Sequence, residues 1–146
     1  MSTALNLKSP REIKMMRPAG LAVWHGLQIA KELAVAGNTT GQIDAAVKQF
    51  YEKIGGEPLF LNYPNSTPGK PAFSGVTCTS VNEQVVHGIP GDYVLKEGDV
   101  ISIDTGCRIH NWCGDSAFTL PIGKIDPQVE KLLEVTKQTL QIAIDL

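Results

Sequence analysis

The first third of the chain carries apolar residues at helical spacing between clear start and stop signals. Residues 9–12 (Ser-Pro-Arg-Glu) combine a capping box with a proline at the first helical position, so a helix is predicted to begin there. Pro18 is predicted to break or kink this helix at the preceding residue. Residues 19–36 then form a second helical stretch, which ends at Gly37.

Two further helices are predicted from their caps and apolar stripes. Thr39 and Gln42 form a second capping box, and Asp126 followed by Pro127 is typical of another helix start. The stripe behind Thr39 comprises Ile43, Val47, Phe50, Tyr51 and Ile54. The stripe behind Pro127 comprises Val129, Leu132, Leu133, Thr136, Leu140, Ala143 and Ile144. The last pattern reaches Leu146 without a stop signal, from which we expect the natural chain to continue.

The middle of the chain is predicted to contain a long loop followed by β-strands. Residues 63–75 are rich in Pro, Gly and Ser and predict a long loop, of a length that is usually functional. Residues 76–81 predict a short strand, and residues 99–106 and 112–120 predict an antiparallel pair.

Composition narrows the class of protein further. The chain has 146 residues, of which 42% are hydrophobic and 19% charged, as expected for one globular domain spanning residues 1–146. A net charge of −2 favours neither nucleic acid nor an anionic membrane as a partner. No apolar run is long enough for a membrane span, no signal peptide is recognisable, and the three cysteines form no CxxC pair. We therefore expect a cytoplasmic protein with reduced thiols.

Two aspartates on the predicted strand pair are the first candidate site. If residues 108–111 connect the strands, Asp104 lies directly opposite Asp115, with Cβ atoms about 4.5–5.5 Å apart. Two opposed carboxylates repel, so a shared proton or a bound divalent cation is needed to compensate. The alternative is a solvated sheet face on which each aspartate is simply a polar surface residue.

His87 is the second candidate, in a turn marked by Gly88 and Pro90. A histidine behind two valines is often a packed residue with one hydrogen-bond partner, and the catalytic or ligand role is the alternative. His25 lies in a helix and His110 at the predicted hairpin turn, so both are weaker candidates.

Three segments form continuous motifs: residues 78–92 (CTSVNEQVVHGIPGD), residues 94–106 (VLKEGDVISIDTG) and residues 113–123 (CGDSAFTLPIG). Together they closely resemble the type I methionine aminopeptidases. Residues 8–20 (KSPREIKMMRPAG) and 132–137 (LLEVTK) are similar to the family as well. The resemblance covers nearly the whole chain and is most specific between Cys78 and Gly123.

The resemblance implies the α+β pita-bread fold, here its first half, with N-terminal helices packed on a curved antiparallel sheet. It implies that Asp104 and Asp115 are two of five ligands to two divalent metal ions, with Asp115 bridging both. The metal identity is left open among Co, Mn, Fe, Zn and Ni. His87 would contact substrate near the scissile bond and help stabilise the tetrahedral intermediate. The pocket for the methionine side chain would be lined by Tyr63, Cys78 and Phe60.

The implied function is removal of the initiator methionine from nascent proteins. A metal pair lowers the pKa of a water ligand and polarises the peptide carbonyl. Further expectations from the resemblance are association with the ribosome and a monomeric full-length protein.

The chain departs from the family in two respects. Family members carry a second half that supplies one His and two Glu ligands, one of which is the general base, and neither His25 nor His110 replaces them. The chain is therefore expected to bind metal weakly and to have little peptidase activity alone. The loop at residues 64–77 is also longer than the family segment. The alternatives are a pita-bread binding module without catalysis, or a half-domain that needs a partner chain.

Overall fold

The computed structural model describes residues 6–146 and consists of three helices and four strands. The helices are α1 (Pro10–Leu33), α2 (Thr40–Lys53) and α3 (Pro127–Asp145). The strands are β1 (Glu57–Pro58), β2 (Thr77–Val81), β3 (Val100–Ile109) and β4 (Trp112–Pro121). The α+β class is confirmed; β1 is too short to give a sequence signal.

Pro18 was predicted to break or kink the first helix; α1 runs through it without interruption, so the break is wrong. Its capping box is present as predicted, with the Ser9 hydroxyl accepting from the backbone N–H of Glu12 at 3.3 Å. Packing explains the continuity, because α1 buries one face against the sheet and that burial outweighs one missing backbone hydrogen bond. At the closest approach a Cβ on Gly114 of β4 would lie 2.6 Å from the carbonyl oxygen of Ala19.

Strand β3 is the centre of an antiparallel sheet. It pairs with β4 along one edge, and along the other with β2 and, near its C-terminal end, with β1. The side chains of β3 alternate between the two faces of the sheet. Ile101, Ile103 and Cys107 point to the helix side and are fully buried in the core with Tyr51 of α2.

The β3–β4 register differs by two residues from the predicted one. Asp104 pairs with Ala117, and Asp115 pairs with Gly106. The reason is the turn, which contains only His110 and Asn111, at φ values of 50° and 66°. Positive φ at both central residues is typical of a type I′ hairpin, which a four-residue connection would not allow.

Helix α3 begins as predicted, with the Asp126 side chain accepting from the N–H of Gln128 at 2.7 Å. Within the described part of the chain none of its residues is buried, and Leu132, Leu140 and Ile144 are each more than 60% exposed. Its apolar face therefore lies outside the core. No helix in residues 6–146 is long and apolar enough to cross a membrane.

Candidate functional site

Asp104 and Asp115 lie on the sheet face opposite the helices. Because the register shift is an even number of residues, both side chains stay on one face, but they are diagonal rather than opposed. Diagonal positions are about 7–8 Å apart, a gap that two carboxylates and a cation can span. The site has room for Asp115 to lean across the strand, since its Oδ2 lies 3.3 Å from where a Cβ on Gly106 would be.

The environment of Asp104 disfavours its charged form. Its Oδ1 is buried without a hydrogen-bond partner among the described residues. Burial raises the pKa of Asp104, the negative charge of Asp115 raises it further, and the nearby His87 lowers it. The described residues therefore offset little of the repulsion between the Asp104 and Asp115 carboxylates, and they provide no hydrogen bond to Oδ1 of Asp104.

His87 is exposed and has a left-handed backbone, at φ 59°. The next residue, Gly88, fixes the loop to β2: its N–H donates to the Ser80 hydroxyl at 3.0 Å, and its carbonyl accepts from the N–H of Thr79 at 2.8 Å. A Cβ on Gly88 would lie 2.3 Å from the Thr79 carbonyl oxygen. This close approach explains why glycine follows the histidine, and it holds His87 within electrostatic range of Asp104, whose pKa the imidazole lowers.

Cys78 is the direct neighbour of Asp104 in the β2–β3 pairing and is 5% exposed. Burial raises the pKa of its thiol to about 11, with smaller contributions from Asp104 and Asp115. The thiol is therefore neutral at pH 7 and forms an uncharged wall beside the carboxylates.

Phe60 and Tyr63 are placed differently. The Phe60 ring lies 3.2 Å from where a Cβ on Gly106 would be, next to Asp115. Tyr63 is 68% exposed and lies where the long loop leaves the site. The structure thus brings five of the six predicted site residues to one region and leaves the Tyr63 side chain largely in solvent.

Two aspartates that the sequence did not single out hold the loops around this region. Asp44 of α2 uses Oδ1 to accept from the N–H of Val76 and from the N–H and hydroxyl of Thr77, all at 2.8 Å. It therefore fixes the start of β2, one residue before Cys78. An acidic residue in the first turns of a helix resembles any other, so the sequence gave no sign of this role.

Asp99 closes the loop that carries His87. It accepts from the Asn82 amide at 2.9 Å, from the Tyr93 hydroxyl at 3.0 Å and from the N–H of Lys96 at 2.9 Å. Burial acts to raise the pKa of Asp99, but these hydrogen bonds outweigh it and hold the pKa below its usual value. Asp99 was predicted only as a strand residue.

The donor set fits part of a metal centre. An unpartnered carboxylate oxygen beside a second carboxylate is the kind of hard oxygen site that divalent cations bind. No group of three or more His, Cys, Asp or Glu side chains in residues 6–146 is arranged to hold an ion. Since a catalytic zinc needs three protein ligands, the described residues supply a partial site.

Comparison with known proteins agrees with this arrangement. The profile of metallopeptidase family M24 matches residues 14–146. Methionine aminopeptidase 1 of Bacillus subtilis is 43% identical over 133 residues, which are 91% of this chain and 51% of that protein. A methionine aminopeptidase of Helicobacter pylori is 40% identical over 97% of this chain and 53% of its own length. The chain thus spans about half the length of these curated relatives.

The fold comparison gives the same result. The crystal structure of methionine aminopeptidase from Thermotoga maritima superposes with a TM-score of 0.86 at 35% identity, over 96% of this chain and 54% of that one. Aminopeptidase P from Escherichia coli, at 20% identity and a TM-score of 0.76 over 95% of this chain and 29% of that one, shares the fold. The predicted pita-bread fold is confirmed, and the chain belongs to metallopeptidase family M24.

Proposed function

We propose that this chain provides the first-half share of the active site of a methionine aminopeptidase, which removes the N-terminal methionine from polypeptides. The observation that carries the proposal is the pair Asp104 and Asp115 on one sheet face, with Oδ1 of Asp104 buried and unpartnered. The relatives named methionine aminopeptidase support the reaction and the substrate class.

In this proposal the two aspartates are metal ligands. M24 membership implies a divalent metal cofactor, and we propose two ions, held in part by Asp104 and Asp115. Cobalt, manganese, iron, zinc and nickel are all compatible with oxygen-rich ligation. Bound divalent metal makes hydroxide available near neutral pH and polarises a carbonyl.

The remaining residues act on the substrate. His87, exposed beside the carboxylates, donates a hydrogen bond near the scissile peptide and stabilises charge that develops on its oxygen. The neutral Cys78 thiol and the Phe60 ring form an apolar wall for the methionine side chain. Tyr63 contributes from the rim, where its exposed ring is free to contact a bound peptide.

The chain is proposed to work as the N-terminal half of a pita-bread domain. With two carboxylates and no assembled third ligand in residues 6–146, we expect weak metal binding and slow peptide cleavage by the 146-residue chain alone. Ribosome association, a monomeric full-length protein and a cytoplasmic location stay predictions. The non-catalytic binding module is the competing function, and it requires no metal affinity at the two aspartates.

Calorimetric titration with Mn²⁺ and Co²⁺ tests the metal site. The wild type is expected to bind with an affinity that falls at least tenfold in Asp104→Asn, because one carboxylate ligand is removed. Asp92→Asn is the matched control, since Asp92 is an exposed aspartate in the same loop as His87. Equal affinity in all three proteins would favour the binding module.

A cleavage assay tests the reaction. Incubation with Met-Gly-Met and a divalent metal is expected to release little methionine, and the residual rate should fall further in His87→Ala. Rapid turnover by the 146-residue chain would contradict the expectation that two carboxylates are insufficient.

A further inference from the structure

The long loop between β1 and β2 is built as a closed arm, which we define as residues 62–73. Two hydrogen bonds close its neck: the N–H of Asn62 donates to the Phe73 carbonyl at 2.8 Å, and the N–H of Phe73 donates to the Tyr63 carbonyl at 2.9 Å. Its tip is also ordered, because the N–H of Lys70 donates to the Thr67 carbonyl at 3.2 Å. The arm is therefore a defined projection.

Both legs of the arm start at the candidate site. The first leg continues to Phe60, which packs beside Asp115 over Gly106. The second leg passes Gly75, where a Cβ would lie 2.5 Å from Cγ of Pro90 in the His87 loop. The base of the arm therefore lies between Asp115 on one side and the loop that carries His87 on the other.

The surface of the arm is exposed and nearly uncharged. Residues 62–72 are all exposed, and Tyr63 at the neck is 68% exposed. Lys70 is the only charged side chain in the sequence between Glu57 and Glu83. Three prolines in residues 64–71 restrict the backbone, which lowers the entropy cost of holding a ligand against it.

We propose that the arm binds the peptide substrate downstream of its first residue, and that Lys70 selects for acidic side chains there. The inference rests on the proposed function, because the substrate must enter with its amino terminus at the carboxylates. In this proposal the part of the peptide beyond its second residue lies along the arm, whereas a dipeptide ends before it. A single exposed lysine favours a nearby carboxylate by about two- to fivefold at low salt, and salt screens the effect.

Peptide binding measured by NMR chemical-shift changes tests the proposal in the 146-residue chain, and it requires no turnover. The probes are Met-Ala, Met-Ala-Gly-Gly-Gly-Gly and Met-Ala-Gly-Glu-Glu-Gly. Each is titrated in metal-free buffer and again in buffer that contains Zn²⁺. The wild type is expected to bind the acidic hexapeptide about threefold more tightly than the neutral one. In Lys70→Glu this preference should reverse, while Met-Ala binding should not change.

Two controls separate the arm from general effects. Lys137→Glu makes the same charge change on exposed α3 and is expected to keep the wild-type preference. In 0.5 M NaCl the preference should disappear in every variant, because the Debye length falls to a few ångström.

The outcomes distinguish this inference from the function on which it rests. If Met-Ala and both hexapeptides bind but Lys70→Glu leaves their ratio unchanged, the role of the arm is overturned and the proposed function survives. If the wild type binds none of the methionyl peptides, the inference fails, whereas the proposed function is decided by the titration of the wild type and Asp104→Asn with Mn²⁺ and Co²⁺. If the preference for the acidic hexapeptide reverses in Lys70→Glu but not in Lys137→Glu, the result supports the role of the arm and the proposed function.

Discussion

Replacing Asp104 with asparagine should affect folding stability in opposite directions with and without metal. In the metal-free chain the Asp104 carboxylate is partly buried, its Oδ1 has no hydrogen-bond partner among the described residues, and Asp115 repels it. Asparagine has nearly the same shape but no charge, so it is not repelled by Asp115. The substitution therefore removes an unfavourable charge without leaving a cavity.

The magnitudes follow from these contacts. A buried polar atom without a partner costs about 1–3 kcal/mol, and the partial exposure of Asp104 favours the lower end. We expect metal-free Asp104→Asn to be more stable than the wild type by about 1 kcal/mol. At a metal concentration 100 times the wild-type Kd, binding stabilises the wild type by about 2.7 kcal/mol, and the variant loses most of that gain. The order of stability should then reverse.

Urea unfolding followed by circular dichroism measures both free energies, once with EDTA and once with Mn²⁺. Asp92→Asn serves as the control, since it removes an exposed aspartate and should match the wild type in both buffers. The reasoning is refuted if metal-free Asp104→Asn is less stable than the wild type, because the carboxylate would then be favourably compensated by the protein itself.

Three further predictions concern the framework of the site. Asp99→Asn should destabilise the chain by about 2 kcal/mol at pH 7 through weakened hydrogen bonds to the His87 loop, measured by urea unfolding. The pKa of Asp99 in the folded chain lies below its unfolded value of 3.8. The stabilisation from its carboxylate is therefore complete well above pH 3.8, and it should be lost as the pH falls through the folded-state pKa. Gly114→Ala should cost about 1–3 kcal/mol because its Cβ would lie 2.6 Å from the Ala19 carbonyl oxygen. Gly20→Ala should instead stabilise α1 by about 0.5–1 kcal/mol, because its Cβ would meet no atom within 4 Å outside the neighbouring backbone of the helix. Removing α3 should change the unfolding free energy by less than about 0.5 kcal/mol, since none of its described residues is buried; a larger loss would show that α3 packs on the core.

The parts of the fold that sequence predicts are those controlled by local chemistry. The capping boxes at Ser9 and Thr39 and the N-cap at Asp126 are present because each cap requires only neighbouring residues. The shared face of Asp104 and Asp115 was also predicted correctly, although the register was wrong, because a slip of two residues preserves the alternation of a strand. The register itself depends on the His110–Asn111 turn, which lacks the glycine that usually marks a type I′ hairpin.

The features that the sequence could not show are long-range. The hydrogen bonds of Asp44 span 32 and 33 residues, so no local pattern predicts them. Continuity of α1 through Pro18 likewise depends on packing against strands about 90 residues later, which single-helix propensities do not include. The close approach of Gly88 to β2 appears only when both segments are placed in space.

The site divides its functions between rigid and strained elements. The carboxylates project from two paired ten-residue strands, whose backbone hydrogen bonds keep the two side chains on one face. His87 instead lies on a loop where both it and Asn82 have positive φ, at 59° and 53°. This conformation costs a residue such as histidine about 1–2 kcal/mol, whereas asparagine adopts it more readily. Such strain persists only if other contacts fix the loop. Asp99 holds the loop through Asn82 and Tyr93, and Gly88 holds its middle through the Ser80 hydroxyl. Loss of these contacts should therefore displace the imidazole before it disturbs the carboxylates, and hydrogen exchange of loop and strand amides in Asp99→Asn should show that order.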